Sequence, residues 1–257
     1  MKGGGKSMTN REISISTANS RKDMVWKQEK LFWSEFVERL KTPFRSTETL
    51  EEYMKMPKSK QDDLKDVGGF VGGELKDGRR KNSNLLSRNL ITLDLDNIQP
   101  GKTLEVLKKI KDLGVSYVVY STRKHTESAP RLRVIFLANE SMACDEYEPV
   151  ARKIGSMLGI SMCDPTTFEP ARLMYWPSCS KNSNYIYEYD IESPMFDVKA
   201  VLKMYDDWHD MREWPQVPGS EKMLERLKKK QENPLEKTGI IGAFCKTYGI
   251  IEAVNRS

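Results

Sequence analysis

Two acidic residues two positions apart carry the clearest chemical signal in the sequence. Asp94 and Asp96 follow an apolar, strand-forming run that begins at Ile91. On a β-strand, residues i and i+2 project from the same face, so the two carboxylates would stand side by side. Two like charges raise each other's pKa unless a cation lies between them. Mg²⁺ or Mn²⁺ would suit such a pair and leave room for substrate phosphates. A solvated strand end is the alternative that the pair alone leaves open.

The strand that carries the pair and the segments that follow it predict a layered α/β arrangement. A helix is expected over residues 103–113 and a short buried strand over residues 115–120. The acids would then stand at the carboxyl end of the first strand of a strand–helix–strand unit, where the sites of open α/β layers gather. The alternating run over residues 131–137 is expected to pair with the second strand as a hairpin.

The loop of that hairpin carries hydroxyl groups and cations. Ser121 and Thr122 are followed by Arg123, Lys124 and His125. A cluster of this composition at a strand end is suited to a triphosphate, because cationic donors make strong hydrogen bonds to phosphate oxygens. An incidental histidine in a loop is the alternative.

A third acid and two basic residues follow further along the chain. Asp164 ends another apolar run, Arg172 begins a predicted strand over residues 172–176, and Lys181 follows that strand. Taken alone, Asp164 would be read by default as a helix cap or a turn former, and the two cations are unremarkable.

A glycine-bordered strand and a basic cluster precede the acidic pair. Residues 68–73 contain four glycines, which could let a nucleotide or another backbone approach closely. Asp77-Gly78 indicates a hairpin turn. The cluster after it consists of Arg79, Arg80, Lys81 and Arg88. Such a cluster either contacts phosphate or is a solvated surface.

The ends of the chain are expected to be simpler. Residues 1–25 are predicted to be a leader and a flexible N-terminus, and a helix is predicted over residues 26–40. The segment 220–257 is predicted to be helical, and because the chain stops in helix-forming sequence we expect a fragment of a longer protein.

Composition limits the class of protein. The 257 residues are 38% hydrophobic and 31% charged, which is typical of a soluble globular protein. No apolar run approaches the ~20 residues that span a bilayer, and the N-terminus has no apolar signal segment, so we expect a cytoplasmic protein without membrane contact. The net charge of +5 permits nucleic-acid binding without requiring it. Four scattered cysteines argue against a zinc site.

The order of these motifs resembles the archaeo-eukaryotic primase superfamily of primase-polymerases. Asp94-x-Asp96, the segment from Ser121 to His125, and Asp164 with basic residues after it match the order of its three motifs. The likeness covers about residues 66–250 and is greatest to the N-terminal primase-polymerase part of phage and mobile-element replication proteins of the virulence-associated E type. One position departs from the Ser-x-His motif, because Arg123 stands where that motif would have serine.

The resemblance implies an α+β fold, in which an α/β unit and an RNA-recognition-like unit form the catalytic core. The core would span residues 26–215, with a small helical accessory domain at 220–257. It also implies template-directed nucleotidyl transfer on single-stranded DNA, with primer and dNTP or NTP as partners, in a bacterial host cell. A helicase domain usually follows in such proteins.

The resemblance also implies roles for individual residues. Asp94, Asp96 and Asp164 would hold Mg²⁺ or Mn²⁺ as the catalytic acids. The nucleotide would be bound by Ser121, Lys124, His125, Arg172 and Lys181. The template would be bound by Arg79, Arg80, Lys81 and Arg123.

Two other functions stay open at this point. A nuclease would use the same metals and acids, and a non-catalytic single-stranded DNA-binding replication module would use the cations alone. A rolling-circle initiator of the two-histidine type is disfavoured because the sequence has no His-x-His.

Overall fold

The structure is a computed structural model that describes residues 10–220. The strands are β1 (Glu12–Ala18), β2 (Lys27–Phe32), β3 (Phe44–Arg45), β4 (Gly69–Val71), β5 (Gly73–Leu75), β6 (Leu85–Leu95), β7 (Tyr117–Ser121), β8 (Leu132–Met142), β9 (Met174–Tyr175), β10 (Ser178–Cys179) and β11 (Tyr187–Asp190). The helices are α1 (Trp33–Arg39), α2 (Leu50–Lys55), α3 (Lys58–Lys65), α4 (Thr103–Asp112), α5 (Cys144–Leu158) and α6 (Val198–Leu202). The predicted α+β class is confirmed.

The central sheet has the strand order β11-β7-β8-β6-β5. Strand β8 is antiparallel to both β6 and β7 and lies between them. The predicted strand–helix–strand unit is therefore present as β6-α4-β7, split by the return strand of the predicted hairpin. This arrangement places the end of β6 beside the start of β8.

Both faces of the central sheet are buried, which explains why its strands read as continuous apolar runs. Along β8, Val134 and Phe136 belong to the core that includes residues of α4, α5 and α6. The alternate residues Ile135 and Leu137 belong to a second core on the other face, together with Ile15 of β1.

The second core is completed by a four-stranded sheet with the order β2-β1-β4-β9. The expectation of a flexible N-terminus is wrong for residues 12–18, because Ile13 and Ile15 of β1 are 1% and 0% exposed. The predicted helix over residues 26–40 is also wrong in its first half. Lys27–Phe32 pairs with β1 as an edge strand, and the helix begins only at Trp33.

Strands β3 and β10 form a short parallel pair, which connects the segment before α2 to the segment that follows β9. Helix α2 then begins at a capping box, in which Thr49 accepts a hydrogen bond from the Glu52 amide and Glu52 accepts one from the Thr49 amide. Residues of α2 and α3 consequently lie near the carboxyl end of β6.

The domain boundaries stay predictions, and the helices expected after residue 220 lie outside the described residues. Within residues 10–220, no helix combines the length and apolar character needed to cross a membrane.

Gly73 offers a test of the packing between β5 and β6. A Cβ atom there would lie 2.0 Å from the carbonyl oxygen of Ser87, so we expect Gly73→Ala to destabilise the protein by more than about 2 kcal/mol. Gly101→Ala is the control: its Cβ would meet open space and cost roughly 1 kcal/mol through its positive φ. Urea unfolding measures both variants, and equal losses of stability would contradict this packing.

Candidate functional site

The acidic pair stands where the sequence predicts, at the carboxyl end of β6. Asp94 is the penultimate residue of the strand and is buried, with 8% of its surface exposed. Its amide donates a hydrogen bond to Oγ1 of Thr167 at 2.8 Å. Asp96 follows directly after the strand and is half-buried.

Backbone hydrogen bonds bring the third acid next to this pair. The Asp164 amide donates to the carbonyl oxygen of Asp94 at 2.9 Å, and the Asn97 amide donates to that of Met162 at 3.1 Å. Asp164 also accepts a hydrogen bond from the Thr166 amide at 2.7 Å and caps the turn Pro165–Phe168. Asp164 therefore both forms a turn and lies beside the acidic pair.

Two arginines hold the pair in place, one in β8 and one directly before it. Arg133 is the cross-strand partner of Asp94, and its Nε donates to Asp94 Oδ1 at 2.7 Å. Arg131 Nη1 donates to Asp96 Oδ2, also at 2.7 Å. Each acid of the pair is thus matched to an arginine across the sheet.

The three acids face one cavity of about 320 Å³, which is within the range of small-molecule sites. The cavity is lined by Tyr53, Lys58, Asp62, Lys65, Asp94, Asp96, Thr122, Arg123, Lys124, Arg131, Arg133, Asp164 and Arg172. Of the residues predicted to be functional, the structure gathers the three acids with Arg123, Lys124 and Arg172. Seven of the lining side chains are cationic and four are acidic. The cavity therefore attracts anions.

Proton affinities in the cavity reflect burial and close charges. Burial, and then the charge of Asp94, raise the pKa of Asp96 above its ordinary value, although Arg131 opposes this. Burial and the nearby guanidinium of Arg133 lower the pKa of Lys65. Burial and the charge of Lys58 likewise lower the pKa of Lys124. A bound cation would reduce the repulsion between the acids, and a bound anion would reduce the repulsion between the lysines and their neighbouring cations.

Three residues predicted to bind the nucleotide do not line the cavity. His125 is 4% exposed, and its Nδ1 accepts a hydrogen bond from the Arg131 amide. Ser121 is buried and accepts a hydrogen bond from the Ile186 amide. Lys181 is exposed outside the cavity. In the structure as it stands, His125 therefore supports the loop that carries Arg131 and does not present its ring to a ligand.

The predicted template-binding cluster lies in a separate groove. Arg79, Arg80 and Lys81 line it together with Arg21 and Lys22 from the connection between β1 and β2. Arg88 does not belong to this surface, which corrects the predicted cluster. It is fully buried, and its Nε donates to the carbonyl oxygen of Leu90 at 3.0 Å.

Several cavity residues were missed at the sequence level. Tyr53, Lys58, Asp62 and Lys65 come from α2 and α3, which were assigned no role and lie far from the motifs in sequence. Arg131 and Arg133 did carry a usable signal. An Arg-x-Arg pair at the start of the return strand mirrors Asp94-x-Asp96 at the end of β6, and a hairpin-type register sets such pairs opposite each other.

The donor set fits a hard divalent cation, and its arrangement calls for additional ligands. Each of Asp94, Asp96 and Asp164 uses one carboxylate oxygen in the contacts above and has a second oxygen without a hydrogen bond from residues 10–220. Within the same residues, no three histidine, cysteine, aspartate or glutamate side chains are close enough to form a metal site by themselves. Mg²⁺ is commonly bound by one or two carboxylates and completed by substrate phosphates, which suits this geometry.

Comparisons with known proteins identify a matching family model and a similar solved structure. The family model described as the VapE N-terminal domain matches residues 5–217. Among solved structures, the chain is similar to the AEP domain of the primase-polymerase of cyanophage S-2L, with a TM-score of 0.40 and 12% identity, over 76% of this chain and 89% of that one. No curated protein matches the chain in sequence.

The raised pKa of Asp96 predicts a trade-off between stability and charge. An ionised Asp96 destabilises the folded state at neutral pH, and this penalty disappears as the pH falls through the raised pKa towards the ordinary value of 3.8. We therefore expect Asp96→Asn to raise Tm by about 2–4 °C at pH 7.5, and the gain to shrink towards pH 4. Thermal unfolding at both pH values measures this.

The exposed Asp112 at the end of α4 supplies the control. Asp112→Asn should leave Tm nearly unchanged at either pH. A lower Tm for Asp96→Asn at pH 7.5 would show that its pairing with Arg131 outweighs its burial.

Proposed function

The chain belongs to the VapE N-terminal domain family, and on this premise we propose that it is a primase-polymerase. In this proposal it makes or extends primers on single-stranded DNA by metal-dependent, template-directed nucleotidyl transfer. The observation that carries the proposal is the convergence of Asp94, Asp96 and Asp164 on one cation-rich cavity.

The two kinds of charge in the cavity suit the two parts of a metal–nucleotide substrate. Carboxylate oxygens of at least two of the three acids, together with substrate phosphates, would hold Mg²⁺ or Mn²⁺, which would supply charge stabilisation at the attacking and leaving oxygens of the phosphoryl group. Cations that line the same cavity, including Lys58, Lys65 and Lys124, would bind the polyphosphate.

Arg131 and Arg133 would act as positioning residues. Each donates a hydrogen bond to one oxygen of its aspartate, and the other oxygen accepts no hydrogen bond from residues 10–220. Arg133 is further fixed by the carbonyl oxygen of Tyr175, to which its Nη1 donates at 2.8 Å. Preorganised carboxylates of this kind need no rearrangement when charge develops during the transfer.

The groove that contains Arg79, Arg80 and Lys81 would bind template phosphates. Backbone phosphate contacts of this type are independent of sequence and sensitive to salt. A cytoplasmic location and a helicase domain in the full-length protein are parts of the same proposal.

Asp96→Ala tests the catalytic assignment. We expect the wild-type protein, given Mn²⁺, labelled dNTP and a single-stranded template, to produce labelled primers, and Asp96→Ala to lose at least 100-fold of that activity. Asp112→Ala is the matched control with wild-type activity. Residual synthesis near wild type in Asp96→Ala would refute the assignment, and metal-dependent shortening of the template without synthesis would identify a nuclease.

Arg79→Ala and Lys81→Ala test the groove. We expect each substitution to weaken binding of a single-stranded oligonucleotide regardless of its sequence and to reduce the salt slope of the affinity by about one. Lys109→Ala, at an exposed position of α4, should change neither quantity. Fluorescence anisotropy at several salt concentrations measures both, and an unchanged salt slope in all three variants would exclude the groove from DNA binding.

A further inference from the structure

The backbone edge of β6 beside the acidic pair is covered by a turn and not by another strand. Strand β5 pairs with β6 only as far as Arg88, so the backbone groups beyond it need other partners. Oγ1 of Thr167 accepts a hydrogen bond from the Asp94 amide at 2.8 Å and donates one to the carbonyl oxygen of Thr92 at 3.3 Å. The Asp164 amide donates to the carbonyl oxygen of Asp94 at 2.9 Å. The turn that begins at Asp164 therefore continues the hydrogen bonding of β6.

Arg88 holds the other end of the same segment, which we call the third-acid loop (residues 164–170). It is fully buried, and its Nη1 donates to the carbonyl oxygen of Pro170. Its Nε donates to the carbonyl oxygen of Leu90 at 3.0 Å, and its Nη2 donates to Oγ1 of Thr92. Burying a cation is costly unless its donors are satisfied. Here β6 and the third-acid loop satisfy them together, so Arg88 joins the end of the loop to the strand that carries the acidic pair.

These contacts fix a loop that carries a candidate metal ligand. Thr167 is 0% exposed, and neither it nor Arg88 is among the described residues that line the cavity. Both can therefore influence a bound ligand only through the acids. Mg²⁺ tolerates little departure from octahedral geometry, and loss of a residue that orients a metal ligand typically lowers metal affinity by roughly 10- to 100-fold. The position of the third-acid loop should decide how well Asp164 and Asp94 share a metal.

We infer that Thr167 and Arg88 are positioning residues, which hold the third-acid loop against β6 and thereby set Asp164 beside Asp94 for binding of a divalent metal. The inference rests on the proposed function for the metal site itself. It also gives a role to Arg88, which the sequence places in a basic cluster and the structure buries.

Two substitutions of Thr167 test the inference. Thr167→Val keeps the shape of the side chain and removes the hydroxyl group, whereas Thr167→Ser keeps the hydroxyl group. We expect Thr167→Val to bind Mn²⁺ at least about tenfold more weakly than the wild type, and Thr167→Ser to stay within about threefold of it. The electron paramagnetic resonance signal of unbound Mn²⁺ measures both affinities.

A core substitution far from the acids controls for lost stability. Ile13 of β1 is 1% exposed and belongs to the second core. Ile13→Val should lower Tm and leave the affinity for Mn²⁺ unchanged. Wild-type affinity in Thr167→Val would overturn the inference, and so would an equal loss of affinity in Thr167→Ser or in Ile13→Val.

A measurement on the wild-type protein covers the case in which Thr167→Val does not fold. Coupling between two equilibria is reciprocal, so a bound metal must stabilise the contacts between the third-acid loop and β6. We expect saturating Mg²⁺ to slow hydrogen exchange of the Asp94 and Asp164 amides more than that of the Val201 amide in α6. Equal effects on all three amides, or none, would contradict the inference.

Primer synthesis by the same proteins separates this inference from the proposed function. Binding of Mn²⁺ that depends on Thr167, in a protein that makes no primers, would refute the proposed function alone. A wild type that makes primers, together with a Thr167→Val variant that binds Mn²⁺ normally, would refute the inference alone. A wild type that binds no Mn²⁺ would overturn both.

Discussion

The buried ion pair between Asp94 and Arg133 is the contact on which the site depends. Both residues are nearly inaccessible, at 8% and 5% exposure, and they are direct partners in the register of β6 and β8. Removing one partner of such a pair costs about 3–5 kcal/mol, because the other charge is left buried and unpaired. The hydrogen bond from Arg133 therefore holds the Asp94 carboxylate in place without a metal, beside the other acids and cations of the cavity.

Local patterns were sufficient to predict the elements closest to the chemistry. The Asp94-x-Asp96 pair, the helix after it and the hairpin of β7 and β8 are all readable from short-range periodicity. The two errors at the N-terminus have a common cause. Strand β1 and its partner Lys27–Phe32 are defined by pairing with each other and with the distant β4, and an edge strand with one buried residue in six carries little periodicity of its own.

The site itself was predictable only in part, because several of its residues come from segments that lie far from the motifs in the sequence. The three acids follow from motif order, and the structure supplies the backbone contact that joins Asp164 to Asp94. Lys58 and Lys65 reach the cavity only because the capped α2 and the pairing of β3 with β10 place α3 there. Likewise, the burial of His125 depends on how the loop folds back on Arg131, which composition does not reveal.

We propose that these acids and cations form one site for a metal–nucleotide complex. A crystal structure of the protein with Mn²⁺ and a non-hydrolysable nucleoside triphosphate would show whether they do. We expect an anomalous manganese peak about 2.1 Å from oxygens of at least two of Asp94, Asp96 and Asp164, with phosphate oxygens completing its coordination. A nucleotide bound elsewhere, or bound in the cavity with no manganese at these carboxylates, would contradict the proposed site.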